Sequence, residues 1–120
     1  MEQTLLRVFH RERLVAARVK LAADFAARLR GLMFYRDWSG GIDGLLLYPC
    51  NSVHLFWMRF DLSLIYLDSD GRILELADRI GPNRIGPTVR GARYVLEARP
   101  GIGAECGLRR GECLWWEKGD

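Results

Sequence analysis

Short β-prone segments, separated by turn-forming residues, recur along most of this chain. They are rich in leucine, β-branched and aromatic side chains, and Gly, Pro, Asp and Ser lie between them. A charged turn at His10–Arg13 predicts one hairpin, and Asp68–Gly71 predicts another. The predicted strands are Thr4–Phe9, Leu14–Leu21, Gly44–Tyr48, Val53–Phe60, Leu62–Leu67, Arg72–Ala77, Tyr94–Ala98 and Glu112–Trp116.

One short helix is predicted, at Ala22–Gly31. Alanines favour helix there, Phe25 and Leu29 form an i, i+4 apolar pair, and Gly31 suits the position after the last turn. Seven or eight short strands with one short helix predict a mainly β (α+β) fold, a compact β-barrel or sandwich. At 120 residues the chain is predicted to form a single domain, 1–120.

The expected compartment is the cytoplasm. Charges interrupt every apolar run near the N-terminus, so the apolar core of a signal peptide is missing there. No run approaches the ~20 apolar residues that span a bilayer, and we expect no membrane partner. Because Cys50, Cys106 and Cys113 lack the Cys-x-x-Cys spacing, we expect three buried free thiols rather than a Cys106–Cys113 disulfide.

Candidate site residues concentrate in the segment Cys50–Arg59. On an extended chain Cys50, His54 and Met58 share a face, which suggests a soft-metal site. Four residues of strand span ~13 Å, however, whereas metal–ligand bonds are only ~2.0–2.3 Å long. The same separation weakens a Cys50–His54 nucleophile pair, which needs contact at ~3 Å. We therefore predict no metal and no cofactor, and interpret His54 and Arg59 as polar groups in an aromatic ligand pocket.

Two further features concern partners. Arginines are frequent around the loop Gly81–Gly91, and a basic loop can bind nucleic acid, but no recognised nucleic-acid module accompanies it. A solvated loop is the favoured interpretation. Adjacent strand residues face opposite sides, so one of Trp115 and Trp116 is exposed unless both faces of the sheet are covered. An exposed tryptophan is typical of interfaces, and a homodimer through Trp115 or Trp116 is one candidate.

The order of several motifs resembles the prokaryotic family known as domain of unknown function 192. The resemblance runs from about Ala22 to Asp120 and rests on Arg28–Met33, Cys50–Phe60, Leu67–Ile73, Val95–Ala98 and Gly107–Glu112. It implies a compact β-barrel or sandwich with one helix, and it implies no particular reaction.

This chain departs from the family pattern at one place. Family members usually continue with Pro-Leu/Ile-Asp where this chain has Asp61-Leu62-Ser63. If the family's carboxylate is functional, Asp61 is its nearest substitute here. That substitute is imperfect, because a shift of one residue along a strand turns a side chain to the opposite face.

Three functions follow from these residues. The favoured one is an accessory module that binds a small ligand or a partner's segment in a pocket lined by His54, Trp57, Met58, Arg59 and Glu97. The second is a hydrolase or metal-assisted enzyme that uses His54, Asp61 or Cys50, two of which would have to lie within ~3–4 Å. The third is a nucleic-acid-associated protein that binds through Arg79–Arg99. The sequence leans against an enzyme, and no catalytic residue is assigned.

Overall fold

A computed structural model describes residues 5–24, 38, 41–53, 55, 59–82 and 84–119 of the chain. These residues form seven strands and one helical turn. The strands are β1 (Leu6–His10), β2 (Arg13–Ala22), β3 (Gly44–Leu47), β4 (Leu62–Leu67), β5 (Ile73–Ile80), β6 (Tyr94–Ala98) and β7 (Leu114–Lys118), and the helical turn α1 is Ile102–Glu105.

All seven strands belong to one sheet, in the order β5-β4-β6-β3-β2-β1-β7. The pair β2–β3 is parallel, and the other neighbours are antiparallel. The two outer strands meet at one end of the sheet. A bridge joins Arg72 to Cys113, and the Leu114 N–H donates to the Gly71 carbonyl at 2.8 Å. This contact curls the sheet into a half-barrel.

The curled sheet carries a separate hydrophobic core on each face. The inner core takes residues from all seven strands, and Ile102, Cys106 and Leu108 close it at one end. The outer core lies on the other face and takes most of its strand residues from β3, β4 and β6. Its buried members are Ala22, Ile42, Leu45, Leu47, Val53, Leu55, Leu62, Leu64, Tyr66, Ala92 and Val95.

Strand β4 shows why the sequence folds this way. All six of its residues are buried, so both of its faces are covered. Leu62, Leu64 and Tyr66 belong to the outer core, whereas Ile65 and Leu67 belong to the inner core. A strand covered on both sides loses the alternation of apolar and polar residues and appears as a continuous apolar run.

The mainly β fold with one short helix is confirmed, but particular elements differ from the predictions. The predicted helix Ala22–Gly31 lies largely outside the described residues, and Ala22 ends β2. The described helical turn, α1, was not predicted. Among residues 53–60, those that the structure describes lie outside strands. Val53 and Leu55 form hydrogen bonds with Gly86 and Arg84 of a loop, so their backbone pairs without joining the sheet.

The cysteines also differ in part from the prediction. All three are free thiols, as expected. Cys106 is buried in the inner core, whereas Cys113 is exposed and Cys50 is half-buried. The prediction of three buried thiols was therefore wrong for Cys50 and Cys113. Cys113 is exposed where it precedes β7 at the edge of the sheet, at the bridge to Arg72. None of the helices in the described ranges has the length and apolar character that crossing a membrane requires.

Candidate functional site

Glu97 is a carboxyl group buried in an apolar surface. It lies on β6 and is only 2% exposed. In the register of the sheet it stands opposite Leu45 of β3 and Leu64 of β4, both outer-core residues. No described residue hydrogen-bonds or forms an ion pair with its carboxyl. Burial raises the pKa of Glu97 to about 8, so at neutral pH the group mostly keeps its proton.

Tyr66 brings a second polar group to the same face. It lies on β4 opposite Val95, two residues from Glu97, and is fully buried. Its hydroxyl has no hydrogen-bond partner. Burial, reinforced by the negative charges that Cys50 and Glu97 can carry, raises the pKa of Tyr66 far above its usual range. The hydroxyl is therefore a permanent O–H donor.

A cover made of two chain segments lies over this part of the outer core. The segments are residues 50–55 and residues 84–93, and they run antiparallel. Four backbone hydrogen bonds join Cys50 to Arg93, Val89 to Asn51, Gly86 to Val53, and Leu55 to Arg84, at 2.8–2.9 Å. These bonds, together with the packing of Val53, Leu55 and Ala92 in the outer core, fix the relative position of the described parts of the two segments.

Gly86 lets the cover approach the sheet closely. A Cβ atom at this position would lie 2.7 Å from the Tyr66 hydroxyl and 2.7 Å from a Leu64 methyl group. Real Cβ atoms do not make contacts this short, so a side chain at residue 86 would require the Tyr66 and Leu64 side chains, or the cover, to shift. The absence of a side chain at residue 86 therefore sets the space above Tyr66.

An open cleft indents the edge of the cover. Its volume is about 210 Å³, and Pro49, Cys50, Asn51, Ala92 and Arg93 line it. Cys50 links the cleft to the buried face, since the thiol is half-buried against the outer core and acts electrostatically on Tyr66. Its Sγ also donates to the Ser52 carbonyl at 3.1 Å.

The predicted pocket residues are described only in part. His54, Trp57 and Met58 lie outside the described residues. Arg59 is exposed, whereas Glu97 is buried on the outer core. Their grouping in one pocket thus stays a prediction. Tyr66 and Gly86 were not singled out by the sequence, because a tyrosine in a strand and a glycine in a loop are ordinary.

The residues of the enzyme hypothesis have local partners. Asp61 accepts a hydrogen bond from Arg79 at 3.0 Å, and both side chains are substantially exposed. Within the described part of the chain, which leaves out His54, no three His, Cys, Asp or Glu side chains are placed to hold a metal ion.

Ser63 stands where the resemblance predicts a carboxylate, and it lies beside the carboxylate of Asp78. Its hydroxyl donates to the backbone carbonyl of Asp78 at 2.6 Å, and lies 3.0 Å from the Asp78 carboxylate. The Asp78 carboxylate in turn accepts from the Gly103 and Ala104 N–H groups of α1, at 2.7 and 3.0 Å. The carboxylate beside Ser63 therefore comes from Asp78 of β5, the strand next to β4, and not from Asp61.

The arginines of the nucleic-acid hypothesis are all exposed, but they are not all available to a ligand in the same way. Arg79 pairs with Asp61, and Arg99 lies 3.9 Å from Glu105. Arg93 stands over the Tyr48 ring, 5.8 Å from its centre. Arg84 and Arg90 belong to the cover. Binding of nucleic acid through these residues stays a prediction.

The two tryptophans differ in exposure. Trp115 is 46% exposed and stacks on Phe9, with ring centres 4.3 Å apart. Trp116 is half-buried and contacts Tyr94 edge to face, at 4.9 Å between ring centres. Trp115 is therefore the tryptophan that a partner could reach.

These features define a small β half-barrel protein with two buried polar residues, Tyr66 and Glu97, on its outer face and a two-segment cover over Tyr66. Residues 7–116 match the family model of domain of unknown function 192 (DUF192), which is described as an uncharacterized ACR. The chain belongs to this family, and the resemblance of its motifs is confirmed.

Curated relatives carry the name UPF0127 protein. One from Thermococcus gammatolerans is 29% identical over 124 residues, which cover 98% of this chain and 74% of the relative. One from Thermococcus sibiricus is 30% identical, over 83% of this chain and 66% of the relative. One from Thermococcus kodakarensis is 27% identical, over 82% of this chain and 64% of the relative. The chain thus spans about two thirds to three quarters of the length of these relatives.

Two solved structures share the fold. A protein of unknown function from Novosphingobium aromaticivorans has a TM-score of 0.78 and 22% identity, over 93% of this chain and 84% of that one. A protein from Sinorhizobium meliloti, described as a candidate transcription regulator, has a TM-score of 0.78 and 24% identity, over 98% of this chain and 94% of that one. At these identities the likeness concerns the fold alone.

Proposed function

We propose that this chain is a cytoplasmic accessory module that binds a small organic ligand, or the segment of a partner, on the outer core beside Glu97. The observation that carries the proposal is the burial of the Glu97 carboxyl between Leu45 and Leu64 without a hydrogen-bond partner among the described residues. His54, Trp57, Met58 and Arg59, the other pocket residues that the sequence predicts, would complete the lining.

The cost of burying this carboxyl supports a binding role. A buried polar group without a hydrogen bond costs about 1–3 kcal/mol, and a leucine at the same place would cost nothing of this kind. Buried unpaired groups are rare in folded proteins and gather at sites where something else completes them. The Tyr66 hydroxyl is such a group, and the buried Glu97 carboxyl lies on the same face. A ligand that satisfies them would recover part of that cost.

A thermal-shift screen of metal ions and metabolites tests the proposal. A ligand present at about 100 times its Kd stabilises the folded protein by about 2.7 kcal/mol, which raises the Tm by several degrees. We expect at least one compound to stabilise the wild-type protein and to lose this effect with Glu97→Leu. The control is Glu105→Gln, which changes an exposed carboxyl on α1 and should respond as the wild type does. The proposal fails if no compound raises the Tm, or if Glu97→Leu responds equally.

A further inference from the structure

Tyr66 and Glu97 are close neighbours on the same face of the sheet. In the register Tyr66 stands opposite Val95, and Glu97 stands opposite Leu64, so the two residues are diagonal neighbours on adjacent strands. Such neighbours have Cβ atoms about 7–8 Å apart, a distance that two long side chains span from both ends. Both lie on the face of the outer core, Tyr66 as one of its members and Glu97 opposite its members Leu45 and Leu64. The Tyr66 hydroxyl has no hydrogen-bond partner.

Both groups carry a proton at neutral pH. The pKa of each is raised, chiefly because burial disfavours the charged form. The other titratable groups that act on Tyr66 are Cys50 from the cover and Glu75 from β5, and neither is a cation. The outer core therefore presents two O–H donors, one from a phenol and one from a carboxylic acid.

The apolar surroundings decide which ligand suits these donors. Leu45, Leu64 and Val95 adjoin the pair. A cationic ligand would require an ionised Glu97, and taking both charges out of water carries a desolvation cost that their attraction must first offset. A neutral acceptor oxygen needs no ionisation and accepts a hydrogen bond from each of the two O–H groups.

We infer that the ligand is a molecule with an apolar body whose carbonyl-type oxygen accepts hydrogen bonds from Tyr66 and Glu97 together. This inference rests on the proposed function, since it concerns the same site.

Three probes with one carbon skeleton separate the alternatives. Acetophenone carries the carbonyl oxygen, 1-phenylethylamine carries an ammonium group at the same place, and ethylbenzene carries neither. Binding is followed by protein NMR titration at pH 7. We expect acetophenone to bind at least about 3–10-fold more tightly than ethylbenzene, the gain that one net hydrogen bond gives, and 1-phenylethylamine to bind no better than ethylbenzene.

Variants of the two donors identify which chemical form of Glu97 is used. Glu97→Gln keeps an N–H donor and should leave acetophenone binding within about twofold of the wild type, whereas Glu97→Leu and Tyr66→Phe should each weaken it about 3–10-fold. Tyr66→Phe removes a hydroxyl without a partner, and Glu97→Leu removes a carboxyl whose burial is unfavourable. Neither substitution should therefore lower the Tm, and lost binding will not reflect unfolding.

Two results overturn the inference. One is tighter binding of 1-phenylethylamine that disappears with Glu97→Gln, which would mean that an ionised carboxylate binds a cation; the proposed function would then stand. The other is a failure of acetophenone to bind more tightly than ethylbenzene. If, in addition, no compound in the thermal-shift screen raises the Tm of the wild type more than that of Glu97→Leu, the proposed function fails as well.

Discussion

Glu97 shows how a single buried residue couples the stability of this fold to pH. In the unfolded chain its pKa returns to the ordinary value of 4.5, whereas in the folded protein it is about 8. Between these two values the folded state holds one proton more than the unfolded state. The free energy of unfolding must therefore decrease as pH rises from about 4.5 to about 8, with a slope of up to about 1.4 kcal/mol per pH unit.

We expect this decrease to disappear with Glu97→Gln, which cannot ionise. Urea denaturation of both proteins between pH 5 and pH 8 measures it. The wild type should lose stability relative to the variant at each step, and the difference should level off above about pH 8, where the folded carboxyl has ionised. The other titratable groups are common to both proteins and cancel in the comparison. If the free energies of unfolding of the wild type and Glu97→Gln change equally with pH, the buried environment assigned to Glu97 is contradicted.

At the residue scale the sequence identified one member of the buried pair. Glu97 stands out because a charged residue interrupts an apolar strand, Tyr94–Ala98. Tyr66 does not stand out, because tyrosine is common in strands and only the fold shows that its hydroxyl has no partner. The role of Gly86 depends on how closely the cover approaches Tyr66, a distance between segments that are remote in sequence.

At the scale of elements, α1 is held to the sheet by Asp78 of β5. One carboxylate accepts from two N–H groups of α1 and lies within hydrogen-bond distance of the Ser63 hydroxyl on β4. Ser63 also accepts from the Gly101 N–H at 3.1 Å. Asp78 and Ser63 therefore act as one unit, spread over two neighbouring strands, that fixes the start of α1.

We expect Asp78→Ser to lower the free energy of unfolding by about 1–3 kcal/mol, because it leaves N–H groups of α1 without an acceptor. Since the resemblance predicts a carboxylate where Ser63 stands, the double variant Ser63→Asp/Asp78→Ser should recover part of this loss. Urea denaturation measures both effects. The control is Asp61→Ser, which removes only an exposed ion pair with Arg79 and should cost less than about 1 kcal/mol. An equal loss in Asp61→Ser and Asp78→Ser would contradict the role of Asp78.

The strands were predictable as elements because their composition and turn residues are local properties. The hairpin at Asp68–Gly71 is an example, since the Asp68 carboxylate accepts from the Asp70 and Arg72 N–H groups within the turn itself. The extended appearance of residues 53–60 misled the prediction, because apolar content alone does not distinguish a strand from a segment that packs over a core. Only four residues of helix form α1, too few for a periodic pattern to predict.

At the scale of the whole molecule, the strand order was beyond sequence reasoning. The parallel pair β2–β3 joins strands separated by more than twenty residues of chain, and β6 lies between β3 and β4. Neither neighbour relation follows from local composition. The strand order forms the candidate site, because the placement of β6 between β3 and β4 buries Glu97 between two leucines and brings it beside Tyr66.

The sheet also carries an apolar row at its β7 side. Leu14 of β2, Phe9 of β1 and Trp115 of β7 are partners in the register across three adjacent strands, and Leu14 and Trp115 are 45% and 46% exposed. Ion pairs flank the row, Arg7 with Glu117 and Arg11 with Glu112, both at 2.8 Å. An apolar centre with a polar rim is the usual organisation of a protein interface.

We expect this row to mediate weak self-association. Three side chains fall well short of the roughly 800 Å² per partner of a stable complex, so the dimer should be concentration-dependent. Sedimentation velocity over a range of protein concentrations measures it, and Trp115→Arg should abolish it. The matched control is Ile85→Arg, which places the same charge at another exposed apolar residue, on the cover. A wild-type protein that sediments as a monomer throughout, or an equal effect of both substitutions, would show that the row is not a self-association surface.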